Sequence, residues 1–330
     1  MQAVAAIAAL RSNQFNARLS AFASDVDQPT ELRLAAVEAI ARKTGRLTPE
    51  SFSYVCGLVD AENLVDAQQR SVRVLSQVSL SAEQMKSLLP LLQSAGPVEL
   101  RELIRPYLRS SDRDLAAAFL ETMSAARSFG GVPSHEFSDI IKRYPQELLP
   151  RANQLLQRLR DQQQEKLDRV DDYLANADSG DPVRGREVFF SEKAKCATCH
   201  RVGSQGGNIG PDLTTIGANR SARDLLESIL FPSATLVRQY EPYVVALDDG
   251  RVLTGLIARE TSELVVLQPA TGKPIEIPRS QIEQIQSSTT SIMPSGMESV
   301  IDRERMIDLV QFLLSCRAQT PSPSATSEKP

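Results

Sequence analysis

The chain has 330 residues, enough for about two domains with full hydrophobic cores. Its 37 Lys and Arg against 41 Asp and Glu leave a net charge of −4, which excludes the broadly basic character of a nucleic-acid or anionic-membrane binder. No apolar run reaches the length of a membrane span, and the first half, rich in Ala, Leu and Arg and without Trp, has the composition of packed helices.

Met1 to Arg11 is apolar but has neither a positive start nor a small-residue cleavage site, so it reads as a helix and not as an export signal. Through residues 1–157 apolar positions recur at helical spacing, in segments separated by Pro, Gly, Ser or Asp. Similar units stand at Glu31 to Ile40, Gln68 to Leu75 and Glu99 to Leu108, about thirty to forty residues apart. That period, without strand signals, predicts a short, degenerate HEAT-like α-solenoid in which each helix pair buries its apolar stripe against its neighbours. An irregular helical bundle satisfies the same pattern. His135 follows the Gly131-Val-Pro loop at a predicted helix start and is expected at the surface or in a cap. Cys56 and Cys316 lie far apart in apolar helical patterns and are expected as buried thiols, not as a disulfide.

Residues 158–183 are a charged helix and a linker. The helix ends near Leu174, and Asn176-Ala-Asp-Ser-Gly-Asp-Pro182 is a run of small, turn-forming residues across which few buried contacts are expected, so the domain boundary is placed there.

The most informative string is Cys196-Ala197-Thr198-Cys199-His200. Two thiols at this spacing can each bond one vinyl group of a porphyrin, and the adjacent imidazole then falls where it can ligate the iron, which is the attachment signature of haem c. A thioredoxin-like pair would follow a strand, whereas Gly185 to Glu192 reads as a short helix. A closed zinc site would need a fourth ligand from Cys56, His135, Cys316 or a carboxylate. A disulfide between Cys196 and Cys199, with His200 a bystander, is the remaining alternative. The expected cofactor is thus one covalent haem c held by Cys196 and Cys199, with His200 as proximal ligand to the iron. Attachment of such a haem takes place outside the cytoplasmic membrane in bacteria, so the chain is expected in the periplasm or otherwise exported, as a fragment of a longer secreted protein.

Around this string lie the parts of a class I-like cytochrome c domain. Gly185-x-x-x-Phe189 is the expected first helix, with Gly permitting close approach and Phe189 or Phe190 shielding the porphyrin edge. Pro211, in Gly206-Gly-Asn-Ile-Gly-Pro-Asp-Leu213, is the candidate whose carbonyl accepts the ligand His Nδ1–H. Ser221 to Leu230 is a capped amphipathic helix and Asp302 to Arg317 the closing one, with Phe312 expected against the turn from Gly185 to Phe189. For the sixth iron ligand Met293 leads, because it precedes Pro294 in a Ser/Thr-rich loop with no packing stripe of its own; Met297 and Met306 are expected to cover the haem or fill the core.

Between Tyr243 and Gln286 the pattern shifts to four or five short strands with Asp-Gly and Thr-Gly turns, a small antiparallel sheet or barrel placed as an insertion at 243–286 within a domain spanning 184–317. The tail 318–330, rich in Pro, Ser and Thr, is expected to be disordered.

Taken with Gly210-Pro-Asp-Leu-Thr214, Leu225-Leu-Glu-Ser-Ile-Leu-Phe-Pro-Ser233, Asp249-Gly-Arg-Val-Leu-Thr-Gly255 and Ser291-Ile-Met-Pro-Ser-Gly296, the attachment motif makes residues 184–317 resemble the planctomycete-type haem-binding domain, a c-type cytochrome family. The resemblance implies the carboxy-terminal part of a large exported redox protein, behind helical repeats and a β-propeller dehydrogenase. Redox partner proteins, a donor dehydrogenase and an electron acceptor, are expected, with no nucleic acid, no membrane span and no catalytic residue in this chain.

Met297 departs from the Leu expected there. A peroxidase-like haem enzyme or sensor is the alternative, opposed by His200 being the only His in the segment. An interaction scaffold remains a reading of the first half alone. Arg184, Arg186, Lys193, Lys195 and Arg201 outnumber the acids around the motif, as a basic rim for an acidic partner or simply a solvated face.

Overall fold

A computed structural model describes residues 16–59, 63–234 and 236–317; the apolar start at Met1 to Arg11 and the tail 318–330 lie outside the described residues. The chain divides into two compact units, 1–163 with 237–290 and 164–236 with 291–330.

The first unit opens with helices α1 (Asn16–Ser24), α2 (Thr30–Thr44), α3 (Pro49–Leu58), α4 (Val65–Gln77), α5 (Ala82–Ser94), α6 (Pro97–Leu103), α7 (Arg113–Ala125), α8 (Ser134–Ile141) and the first part of α9 (Leu149–Leu174). Local sequence sets their ends. Gly45 closes α2 at φ 67°, a left-handed conformation that glycine takes without steric cost, with its N–H on Ala41 O. Thr48 caps α3 ahead of Pro49, Ser81 and Gln84 form a capping box on α5, and Asp112 caps α7. The apolar stripes meet in one core that includes Leu34, Val55, Leu75, Leu88, Leu100, Phe119 and Phe137. Tyr107 lies 4.6 Å from Phe119 and gives its hydroxyl to Met85 O at 2.6 Å, as a buried tyrosine must find an acceptor. His135 is exposed in the first turn of α8.

The strands form a five-stranded antiparallel sheet: β1 (Pro242–Leu247), β2 (Val252–Glu260), β3 (Leu264–Gln268), β4 (Ile275–Pro278) and β5 (Ile282–Ser287), in the order β4-β3-β2-β1-β5. Gly250 at φ 84° and Gly272 at φ 92° turn the hairpins. Alternation along β1 buries Tyr243, Val245 and Leu247 on the face that also holds Val265, Leu267, Ile277, Ile285 and Val65.

The sequence pattern groups residues 243–286 with the haem segment; the folded chain groups 237–290 with the helices instead. The physical reason is a set of polar ties. Glu260 Oε2 accepts the Val65 N–H at the start of α4 at 2.8 Å while its other oxygen pairs with Arg279 at 3.0 Å. Arg127 donates to Ser287 O at 2.8 Å, and Arg238 pairs with Glu102 at 2.8 Å.

In the second unit α10 (Pro182–Phe190) is capped by Asp181, whose side chain accepts from Val183 N–H and Arg184 N–H, with Pro182 at the first turn. It packs on α15 (Arg303–Ser315), with the Phe189 and Phe312 rings 5.5 Å apart. Between them in sequence come α11 (Cys196–Cys199), α12 (Ile216–Asn219), α13 (Ala222–Leu230), opened by a Ser221–Asp224 capping box, and α14 (Met297–Val300). Val170, Val188, Phe189, Leu226, Ile229, Met306, Leu309 and Phe312 share one core.

The turn-rich stretch 176–182 is not the free linker its composition predicts. Ala177 is buried and accepts from Gln311 Nε2 at 2.8 Å, Asp181 N–H donates to Asp308 at 2.7 Å, and a Cβ on Gly180 would come within 2.7 Å of Ile307 O. Small residues here permit contact with α15.

Candidate haem site

Cys196 and Cys199 open and close the single turn of α11, three residues apart and so on one face of the helix. Both are half-buried thiols, neither in a disulfide, and so is Cys56, while Cys316 is a buried one. Burial pushes Cys196 up to about 11 and Cys56 to about 12, and raises Cys199 and Cys316 as well. The turn begins at Lys195, the non-glycine residue with positive φ (53°) among the described residues, and is braced by Lys195 N–H on Ser191 O at 2.9 Å and Ala194 N–H on Ser191 Oγ at 3.1 Å.

His200 follows, its N–H on Cys196 O at 3.0 Å. Its ring Nδ1 lies 2.9 Å from Pro211 O. A carbonyl oxygen only accepts, so Nδ1 carries the proton and Nε2 keeps its lone pair. Burial lowers the imidazole from its ordinary value, the Pro211 carbonyl opposing, so the ring is neutral at physiological pH.

The segment after His200 folds back over the motif, through a two-residue hairpin of Arg201–Val202 with Gln205–Gly206. Gly207 N–H bonds Ala197 O at 2.8 Å and Gly210 N–H bonds Cys199 O at 2.9 Å. Backbone lies so close that a Cβ on Gly207 would meet Thr198 O at 2.1 Å, and one on Gly210 would meet His200 Cε1 at 2.6 Å. Sequence reasoning gave these glycines no role; their spacing ahead of Pro211 is the signal that could have found them. Asp212 fixes the far end: it accepts Thr214 N–H at 2.9 Å and pairs with Arg201, and its carboxyl sits at about 2, held down by Thr214 and Arg201.

Phe189 is buried in edge contact with the half-buried Phe190, centroids 5.0 Å apart, and Arg186 stacks over Phe190 at 4.7 Å. The three candidate methionines separate by burial. Met306 (0 % exposed) and Met297 (7 %) belong to the core, whereas Met293 is only partly buried and packs on the same cluster as Cys196, Ala197 and Leu213. Of the basic residues near the motif, all five exposed, Arg184 pairs with Asp308, Arg201 with Asp212, and Arg186 donates to Gln205.

These residues fit a covalent haem: two thiols on one helical face, an imidazole oriented through Nδ1, and a glycine where any Cβ would push that ring aside. The donor set does not fit a closed metal site, because among the described residues no three His, Cys, Asp or Glu are grouped to hold an ion. No helix among the described residues is long and apolar enough to cross a membrane.

The family model for Cytochrome c matches residues 182–238, from the first turn of α10 through the motif and α13. A cytochrome c domain of this kind carries covalent haem c and passes electrons to redox partners. No curated protein matches the chain.

Proposed function

We propose that the chain carries one haem c, bonded to Cys196 and Cys199 and ligated by His200 and Met293, and that it moves single electrons between a donor dehydrogenase and an acceptor protein outside the cytoplasmic membrane. The observation that supports this reading is the His200 Nδ1 contact with Pro211 O at 2.9 Å, which leaves the Nε2 lone pair for an iron. When bound, haem supplies the one-electron couple, at a potential raised by thioether ligation. The chain's own residues hold and shield it. The Pro211 carbonyl fixes the tautomer and raises the basicity of the ring, Gly210 admits the ring edge, and Phe189 and Phe190 exclude water on the α10 side.

The finer family reading, a planctomycete-type haem-binding domain behind degenerate HEAT-like repeats, rests on the motifs quoted above and on the run of helices α2 to α8. On that reading the chain serves a dehydrogenase and performs no catalysis itself.

The test is production in a host competent in cytochrome maturation. Denatured protein keeps one haem by mass and by its alkaline pyridine spectrum, and replacing both Cys196 and Cys199 with Ser abolishes retention. Loss of all haem from the denatured wild type, or stoichiometric zinc in its place, overturns the proposal.

A further inference from the structure

The loop that carries Met293 is tied down by two hydrogen bonds in series. Ser291 N–H donates to Ser233 Oγ at 3.0 Å, and Met293 N–H donates to Ser291 Oγ at 3.1 Å. Ser233 is itself well anchored. It follows the buried Pro232 and the half-buried Phe231, whose N–H closes α13 on Glu227 O at 2.9 Å and whose ring lies under the Arg169 guanidinium at 4.9 Å. All three residues of the relay are partly buried, so water competes with these bonds only in part. A loop rich in Ser and Thr has no apolar stripe of its own, and these two bonds add to the packing of Met293 on the core cluster.

We infer that Ser233, acting through Ser291, is a positioning residue that holds the Met293 loop closed and thereby sets how readily an outside ligand displaces the thioether. The inference rests on the proposal that Met293 is the sixth ligand. Ser233 touches no reacting atom; its effect is on the equilibrium between a closed loop and an open one. A neutral hydrogen bond of this kind shifts such an equilibrium by about five-fold. Because the bonds lie in series, cutting either one releases the loop, and cutting both adds little.

The experiment is an imidazole titration of the oxidised holoprotein, followed by loss of the weak near-infrared band of Met–Fe ligation. Ser233→Ala is expected to raise the apparent affinity for imidazole about five-fold, Ser291→Ala by a similar factor, and the double variant by no more than the larger of the two. Ser233→Thr, which keeps an acceptor oxygen, restores the wild-type value. On a Met293→Ala background, where no thioether competes, Ser233→Ala is expected to leave imidazole affinity unchanged; a merely structural role would move it there as well. Unchanged affinity in Ser233→Ala, with Met293→Ala abolishing the band, overturns the positioning role and leaves the ligand assignment standing. A band that survives Met293→Ala overturns the assignment, and the inference with it.

Discussion

Gly185 and Asp308 meet backbone to backbone where α10 crosses α15: a Cβ on Gly185 would lie 1.9 Å from Asp308 O and 2.8 Å from Phe312 Cβ. The same Asp308, 1 % exposed, receives Arg184 Nε and Nη2, each at 2.8 Å, and Asp181 N–H at 2.7 Å. One residue of α15 thus both sets the distance between the helices and anchors the start of the second unit's core. Gly185→Ala must push the helices apart and is expected to destabilise this unit by about 2 kcal/mol or more. The check is the thermal midpoint of the second unit, read through the visible absorbance of the holoprotein; an unchanged midpoint refutes the close-approach account.

Removing the cation leaves Asp308 buried with only a backbone donor. Arg184→Ala is expected to destabilise this unit, by less than the loss of a fully buried partner would, because Arg184 is half-exposed and water screens the pair. Asp308→Asn on the Arg184→Ala background recovers part of the loss. Denaturant titration of the four proteins reads the coupling, and additive losses would argue against the clamp.

Gly210→Ala places a methyl where His200 Cε1 lies 2.6 Å away, and the ring must turn or shift from Pro211 O. The expected result is about 1–3 kcal/mol of strain and a lower haem content per chain, whereas Pro211→Ala, which keeps the carbonyl, is milder. Haem-to-protein ratio measures both; equal retention in Gly210→Ala and wild type contradicts the packing argument.

The first unit carries its own pH response. Glu241, 2 % exposed, is pushed up to about 7 by burial and then by Glu99, with Arg238 and the Tyr243 hydroxyl opposing and Glu102 adding to the rise. Arg127 of the first unit also faces this cluster. Unfolded, the group returns to about 4.5. A carboxyl whose folded value is raised stabilises the fold fully below about 4.5 and loses that contribution as pH climbs through about 7. Wild type should therefore lose stability relative to Glu241→Gln across this window, with a slope of at most about 1.4 kcal/mol per pH unit. Denaturation monitored by circular dichroism at several pH values tests it, and a difference that is flat with pH rejects it.

Met293→Ala is expected to remove the near-infrared band, lower the potential and speed carbon monoxide binding to the reduced protein by on the order of ten-fold or more. Met297→Ala and Met306→Ala, which empty core positions, should leave the band in place while costing about 2–5 kcal/mol of stability. Rapid carbon monoxide binding or peroxide turnover by the wild type would shift the reading to a haem enzyme or sensor.

What the sequence disclosed, it disclosed where chemistry or periodicity is local. The Cys196 to His200 motif, the cap at Ser221 and the strand pattern along β1 each depend on residues within a few positions. Phe312 beside Phe189 was legible because the first and last helices of a class I-like cytochrome domain cross. The allegiance of the sheet was not, since it depends on Glu260 reaching Val65, a contact with no local signature. Nor was the tethering of Ala177 and Gly180, because small residues that permit close packing have the same composition as those that permit flexibility.

The division of the chain has a consequence for its synthesis. Residues 164–236, with Cys196 and Cys199, are made after the helices of the first unit but before its last strands, and α15 comes later still. When the two thiols first emerge, Phe189 has no Phe312 to pack on and Asp308 is not yet present to hold Arg184. The turn of Cys196 to Cys199 therefore emerges on an unclosed segment, and neither unit can complete its core until the ribosome has passed residue 290.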